Sequence, residues 1–200
     1  MSAPRFRIEW SSAGEELVVE EPTWDEVARV APLLAAAYND PHNRAMLTHD
    51  EDMTAADVVQ SYTEMAEAGA RQLLLYRDAV LAGDADFRSL EAGRAEFALL
   101  VAARSAQKRG LGTRFAIMAH AFGFSSLGLE RSYVTMLAAN LGSRRVFEKL
   151  GYTLDDSPQA RRYTDDKDDL SMSVDRATFE RTHAVALAEI RIRELAAIIR

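Results

Sequence analysis

Apolar and polar positions alternate along the first part of this chain. RFRIEW (5–10) and ELVVEE (16–21) are short β-like runs on either side of SSAGE, which predicts a hairpin. The rhythm then changes to a helical one. Thr23 to Glu26 reads T-x-x-E, a capping box that opens a helix through about Tyr38. Pro32 falls inside that pattern and is expected to kink or split it, and Asn39-Asp40-Pro41 ends it. Thr54 caps a second helix, with Val58, Val59, Tyr62 and Met65 at helical spacing and Gly69 as its stop.

Three strand-like runs follow: RQLLLY (71–76), VLAGDADF (80–87) and AEFALLVA (95–102). Short turns join them, which predicts an antiparallel meander. Leu111, Phe115, Met118 and Phe122 repeat at i, i+4, i+7 and i+11, one apolar face of a helix to about Phe124. SYVTMLA (132–138) reads as a strand. Asn140 to Leu150 reads as a short helix with Asn140 as N-cap and Gly151 past its end. YTLDD and DLSMSV supply two more strands. Residues 176–200 are expected to form one long helix, carrying Val185, Leu187, Ile190, Ile192, Leu195, Ile198 and Ile199.

This order predicts one mixed α/β domain over residues 1–175, hairpin included, with the helix 176–200 appended. That helix is apolar around most of its circumference. It needs cover from its own domain or from a second copy, so a homodimer is one arrangement to expect.

Composition narrows the function. The 200 residues carry a net charge of −7, so the global basic field of a nucleic-acid binder is missing. An acidic balance suits a cationic or amine partner better. There is no cysteine, which excludes disulfides, thiolate metal sites and a cysteine nucleophile. His42, His49, His120 and His183 have no close ligand spacing, so no metal site is expected. The start, MSAPRFRIEW, is too polar for a signal peptide, and no apolar run approaches the about 18–20 residues of a membrane span. A cytoplasmic protein without membrane partners is the expectation.

AQKRGLGTRF (106–115) stands where a strand hands over to a helix. Unpaired amides at the helix start and the helix dipole favour a negative group there. Gly110 and Gly112 remove side chains that would hold a phosphate off the backbone, and Lys108, Arg109 and Arg114 add charge. A dinucleotide fingerprint needs a third glycine, and position 115 is Phe; a Walker loop needs Gly-Lys-Ser/Thr, and Gly112 precedes Thr113-Arg114.

Gln107-Lys108-Arg109-Gly110-Leu111-Gly112 resembles the Q/R-x-x-G-x-G/A signature of the GNAT acetyltransferase superfamily. Asn140 to Tyr152, NLGSRRVFEKLGY, resembles that family's second motif. With GDADF and AEFALLV, the likeness is closest to the ribosomal-protein-alanine and spermidine N-acetyltransferase branch, over about residues 17–175. It implies a mainly antiparallel sheet, helices on both faces, and a splayed parallel pair formed by strands 95–102 and 132–138. It also implies acetyl-CoA as cosubstrate. Its pantetheine would pair with Leu100, Val101 and Ala102, and its pyrophosphate would rest on Gln107, Lys108, Arg109, Gly110, Leu111, Gly112 and Thr113. Asn140 and Ser143 would complete that site, and Arg144 lies within reach of the nucleotide end.

Acetyl transfer to an amine needs a neutral nitrogen, a polarised carbonyl and a proton for the departing sulfur. Glu96 is the candidate base, from the matching position in this branch. Many members carry a tyrosine acid in the last helix; here that position is Phe147, which has no proton to give. Ser143 is the substitute, as a contact to the sulfur end, with Tyr133, Tyr152 and Tyr163 as alternatives. A backbone N–H around Val101 would polarise the carbonyl.

Residues 40–57 carry Asp40, Asp50, Glu51, Asp52 and Asp57 against Arg44, and residues 155–169 carry six aspartates. Two acidic loops around one cleft would concentrate a cation. The expected acceptor is therefore a primary amine, either a peptide or protein N-terminus or a small polyamine-like molecule. A non-catalytic acyl-CoA-binding sensor or scaffold is the alternative.

Overall fold

The computed structural model describes residues 4–47, 51–102, 110–164 and 168–195. These form β1 (Arg5–Ser12), β2 (Glu15–Glu20), α1 (Trp24–Tyr38), α2 (Pro41–Leu47), α3 (Ala55–Glu67), β3 (Arg71–Arg77), β4 (Val80–Glu91) and β5 (Arg94–Val101). After them come α4 (Leu111–Ser125), β6 (Arg131–Met136), α5 (Leu141–Lys149), β7 (Thr153–Leu154), a 3-10 turn (Ala160–Tyr163) and β8 (Leu170–Asp175). The chain continues through α6 (Arg176–Thr182), α7 (Ala184–Glu189) and β9 (Arg191–Leu195). The strands make one sheet in the order β7-β8-β6-β5-β4-β3-β2-β1-β9. Among the described residues only β5 and β6 run parallel; the remaining pairs are antiparallel.

Alternation along the central strands loads both faces. Leu73, Leu75, Phe87 and Phe97 join the core that buries α4. Leu74 points the other way, into a second cluster with Val27, Val30, Leu34, Val58 and Tyr62 of α1 and α3. This is the expected mixed α/β fold, with helices on both faces. No helix among the described residues is long and apolar enough to cross a membrane.

Local chemistry accounts for the element ends. Thr23 and Glu26 form the capping box of α1, and Thr54 and Asp57 that of α3. Pro32 does not split α1, which runs unbroken from Trp24 to Tyr38. Pro41 begins α2 instead, at the position where a missing N–H costs nothing. Asp40 Oδ1 accepts from the amides of His42 (3.0 Å) and Asn43 (3.3 Å).

The tail corrects one expectation. Residues 176–195 are not a single helix. Asp175 caps α6, α6 stops at His183, and Ile190 turns extended at φ −70° and ψ 133°. The next residues pair with β1, Ile192 opposite Ile8 and Arg193 opposite Arg7. Ile190 and Ile192 fit a period of two as well as a helical one, and β1 offers an open edge whose amides and carbonyls need partners. Ala186, Leu187, Ile190 and Ile192 pack on this chain's own core, so they are covered without a second copy. Ile198 and Ile199 lie outside the described residues.

Gly83 fixes the shape of the central meander. It holds φ +153°, and a Cβ there would lie 1.9 Å from the carbonyl oxygen of Leu100. Backbone cannot yield as a side chain can, so only glycine lets β4 approach β5 this closely. A bulge between Leu75 and Tyr76 stands opposite.

Candidate functional site

The site begins at a fork. β5 and β6 share three rungs, Arg94 with Arg131, Ala95 with Ser132 and Glu96 with Tyr133. Beyond them β5 stays on β4 as far as Val101, and β6 stays on β8 as far as Met136, but no rung joins the two. A wedge opens toward their carboxyl ends, where open sheets collect ligands.

Strand alternation decides which backbone groups look into the wedge. The amide of Ala102 donates to Ala82 O at 2.8 Å. By the same parity Leu100 directs its backbone to β4, opposite Asp84. Leu100 and Ala102 are thus turned away from the position expected for a pantetheine arm. Val101, as expected, and Leu99, which sequence reasoning overlooked, turn their backbone toward the wedge.

At its far end stands the start of α4. Gly110 occupies the N-cap with φ +75°, and no side chain caps the helix. The first intrahelical bond runs from Arg114 N to Gly110 O (3.1 Å), so the amides of Leu111, Gly112 and Thr113 precede it. Gly112 lies close to Val101 Cγ2 (3.4 Å from an added Cβ) and Val146 Cγ2 (3.7 Å), between β5 and α5. These features fit a phosphate-bearing cosubstrate. Gln107, Lys108 and Arg109 lie outside the described residues. Arg114 does not add charge here: its Nη1 donates to Ser12 O (2.9 Å) and its Nη2 pairs with Glu15. Arg144 is paired with Glu148 on the surface of α5 (2.8 Å).

Asn140 and Ser143 are brought together at the first turn of α5, where Asn140 Oδ1 accepts from Ser143 N at 3.0 Å. That bond is an N-cap. Ser143 is half-buried. Phe147, one turn on, is buried against Phe97 and Tyr152. It is a core residue.

The opposite face of the sheet carries the charge. In β4 the D-A-D-F-R order sets Asp84, Asp86 and Arg88 on one side, opposite Leu100, Ala98 and Glu96 of β5. Glu96 is buried at the fork. Its Oε2 accepts from Arg88 Nε (2.9 Å) and its Oε1 from Thr135 Oγ1 of β6 (2.9 Å). Asp84 accepts from Tyr38 Oη (2.5 Å) and Tyr62 Oη (2.9 Å), tying α1 and α3 to β4. Burial pushes its carboxyl up to about 6 even though both tyrosines favour the anion. Burial likewise holds both phenols well above their ordinary value.

Asp86 is different. Its Oδ1 is buried with no hydrogen-bond partner, and Arg88 Nε is 3.8 Å away. Burial pushes its carboxyl up to about 7; Arg88 opposes this, and the neighbouring Asp84 and Glu96 add to it. Sequence reasoning missed Asp84 and Asp86 as site residues. The signal was available, since two aspartates one residue apart on a strand share a face.

The three tyrosines separate. Tyr133 lies on the carboxylate face, its ring 5.0 Å from that of Tyr163. Burial raises the Tyr133 phenol. Tyr152 lies in the core on the other side, 2.6 Å from His120 Nε2 and 2.7 Å from Ser132 Oγ. Burial raises its phenol too, and it faces no cleft.

The expected acidic loops are partly occupied by local work. Asp40 and Asp57 cap helices, Asp52 pairs with Arg44, Asp155 accepts from Ser173 (2.6 Å), and Asp156 pairs with Arg161. Asp50, Asp165 and Asp166 lie outside the described residues. The carboxylates that gather on one surface are those of the sheet.

A family profile described as the acetyltransferase (GNAT) domain matches residues 17–153. No curated protein matches the sequence. Among solved structures, the fold is similar to an uncharacterised protein of Bacillus halodurans, with TM-score 0.73 and 13% identity over 92% of this chain and 96% of that one. It is similar to Mycobacterium smegmatis RimJ in complex with CoA-disulfide, with TM-score 0.70 and 14% identity over 94% and 96% of the two chains. It is also similar to aminoglycoside acetyltransferase AAC(6')-Ib in complex with coenzyme A and kanamycin, with TM-score 0.66 and 19% identity over 84% and 99%.

Proposed function

The chain belongs to the acetyltransferase (GNAT) family, and from that premise we propose that it moves the acetyl group of acetyl-CoA to a primary amine by direct attack in a ternary complex. The observation that carries this reading is the wedge. β5 and β6 part after Glu96 and Tyr133, with the backbone of Leu99 and Val101 on one side and the uncapped start of α4 at the end. Acetyl-CoA supplies an activated thioester. The pantetheine runs along Leu99 and Val101, and the pyrophosphate meets the amides of Leu111, Gly112 and Thr113.

The thioester then lies over the fork, next to the carboxylate face. Asp84, Asp86 and Glu96 favour an amine that arrives as an ammonium. The resemblance of AEFALLV and NLGSRRVFEKLGY to the ribosomal-protein-alanine branch supports a peptide or protein N-terminus, and the same carboxylate face suits a polyamine. Ser143, at the first turn of α5, serves as hydrogen-bond donor to the departing sulfur; a hydroxyl donates well but is a weak acid.

The test is a screen of free thiol release from acetyl-CoA with spermidine, kanamycin and a peptide bearing a free α-amine. Coenzyme A binding is measured by calorimetry beside it. Turnover with at least one amine is expected. Tight coenzyme A binding without turnover on any amine would favour the sensor reading, to which the buried Phe147 lends some support. No binding would remove both.

A further inference from the structure

Two carboxylates lie close to the fork, and they are not equivalent. Glu96 has both oxygens engaged, one by Arg88 and one by Thr135 across the seam. Taking up a proton there would break a charge-assisted bond to Arg88 or the bond that ties β5 to β6. Asp86 holds no hydrogen bond at Oδ1, only the longer ion pair with Arg88 at 3.8 Å. It lies on the same face, opposite Ala98, one alternate position along from the Arg88–Glu96 rung. Its side chain is 15% exposed, and its buried Oδ1 has no donor. A buried carboxylate oxygen without a donor is costly unless something arrives to satisfy it.

We propose that Asp86 is the carboxylate that meets the acceptor ammonium and takes its proton, and that Glu96 is the positioning residue that holds Arg88 and Thr135 beside it. This rests on the acetyl-transfer reading above. The ammonium gives one proton to Asp86 and becomes a neutral amine. Its nitrogen lone pair forms the C–N bond to the acetyl carbon, and the C–S bond of the thioester breaks. The electron pair leaves on sulfur, and the second nitrogen proton neutralises the thiolate. Asp86 then loses its proton to solvent.

The surroundings suit that task. Asp84 and Glu96 are the acidic neighbours, Arg88 the basic one. Gln72 of β3 stands opposite Asp86 and donates to Tyr62 O, while Tyr38 and Tyr62 reach the face from α1 and α3. Burial above all, opposed by Arg88 and reinforced by Asp84 and Glu96, leaves Asp86 with a carboxyl near 7. A base of that strength is half ionised near neutral pH and closer to the amine than an ordinary aspartate.

The experiment is a pH profile of kcat and KM for the wild type, Asp86→Asn and Glu96→Gln, using whichever of spermidine, kanamycin and the α-amino peptide turns over. Asp86→Asn is expected to lower kcat by about 100-fold or more and to abolish the acidic limb near pH 7. Its coenzyme A affinity and far-UV circular dichroism should match the wild type. Glu96→Gln should keep the limb while turning over more slowly. Asp86→Glu, which retains a carboxylate, should keep a displaced limb, so the idea stays testable if Asp86→Asn folds poorly. An Asp86→Asn enzyme with wild-type kcat and limb, or a limb lost only in Glu96→Gln, overturns the assignment and leaves acetyl transfer standing. A wild type that acetylates none of the amines removes both.

Discussion

Thr135 Oγ1 donates to Glu96 Oε1 at 2.9 Å across the seam between β6 and β5. The bond lies just beyond the last shared rung, Glu96 with Tyr133, and so clamps the fork at the point where the strands separate. Thr135→Val preserves shape and removes the donor. We expect a loss of about 1–2 kcal/mol in urea unfolding, because a buried carboxylate oxygen is left short of a partner. Turnover should fall with it, while Thr135→Ser should restore both.

Gly83 and Gly112 make a contrasting pair. A Cβ at Gly83 would meet the Leu100 carbonyl at 1.9 Å, whereas one at Gly112 would meet only side chains, at 3.4 Å or more. Gly83→Ala is expected to cost more than about 3 kcal/mol or to prevent folding. Gly112→Ala should raise the melting temperature slightly, since alanine favours a helix by up to about 1 kcal/mol over glycine. The same methyl intrudes on the end of the wedge, so coenzyme A affinity should drop. Calorimetric titration beside a thermal melt reads both effects.

The carboxyls of Asp84 and Asp86 are raised, to about 6 and about 7, from an ordinary value of 3.8. Native protein therefore binds more protons than unfolded chain between these limits, and these two groups lose stability as pH rises through about 4 to 7. Asp86→Asn removes its share. Relative to wild type, the variant should gain stability between pH 4 and pH 8, by at most about 4 kcal/mol at roughly 1.4 kcal/mol per pKa unit. Melting temperatures of both proteins across that range check it; a difference that is flat with pH would refute it.

Asp84 anchors two helices through Tyr38 and Tyr62. Tyr62→Phe should destabilise by about 1–3 kcal/mol, since the buried acceptor loses a donor. Proteolysis should then begin in α3, because the bond is one of the polar ties between that helix and β4. Protection of α3 equal to the wild type in hydrogen exchange would argue against such a role.

Truncation after Glu189 tests the tail. It removes β9 from β1, and with it Ile192, the cross-strand neighbour of the fully buried Ile8. We expect a lower melting temperature and an exposed sheet edge that promotes self-association.

Local patterns were enough to define much of this protein. The two capping boxes, the meander, the apolar face of α4, and Asn140 as the N-cap of α5 all follow from contacts within a few residues. The glycines at 110 and 112 and the N-x-x-S start of α5 pointed to the proposed cosubstrate end for the same reason. Partners far along the chain decided the rest. Ile190 to Leu195 became a strand because β1 had an edge to fill, and a short apolar run cannot announce which period it will follow. Leu99 replaced Leu100 and Ala102 at the wedge because the register with β4 sets which amides point inward. Arg114 was drawn away by Ser12 and Glu15, about a hundred residues earlier. The different hydrogen bonding of Glu96 and Asp86 has the same origin: it depends on what burial brings alongside, and Thr135, which binds Glu96 alone of the two, comes from another strand.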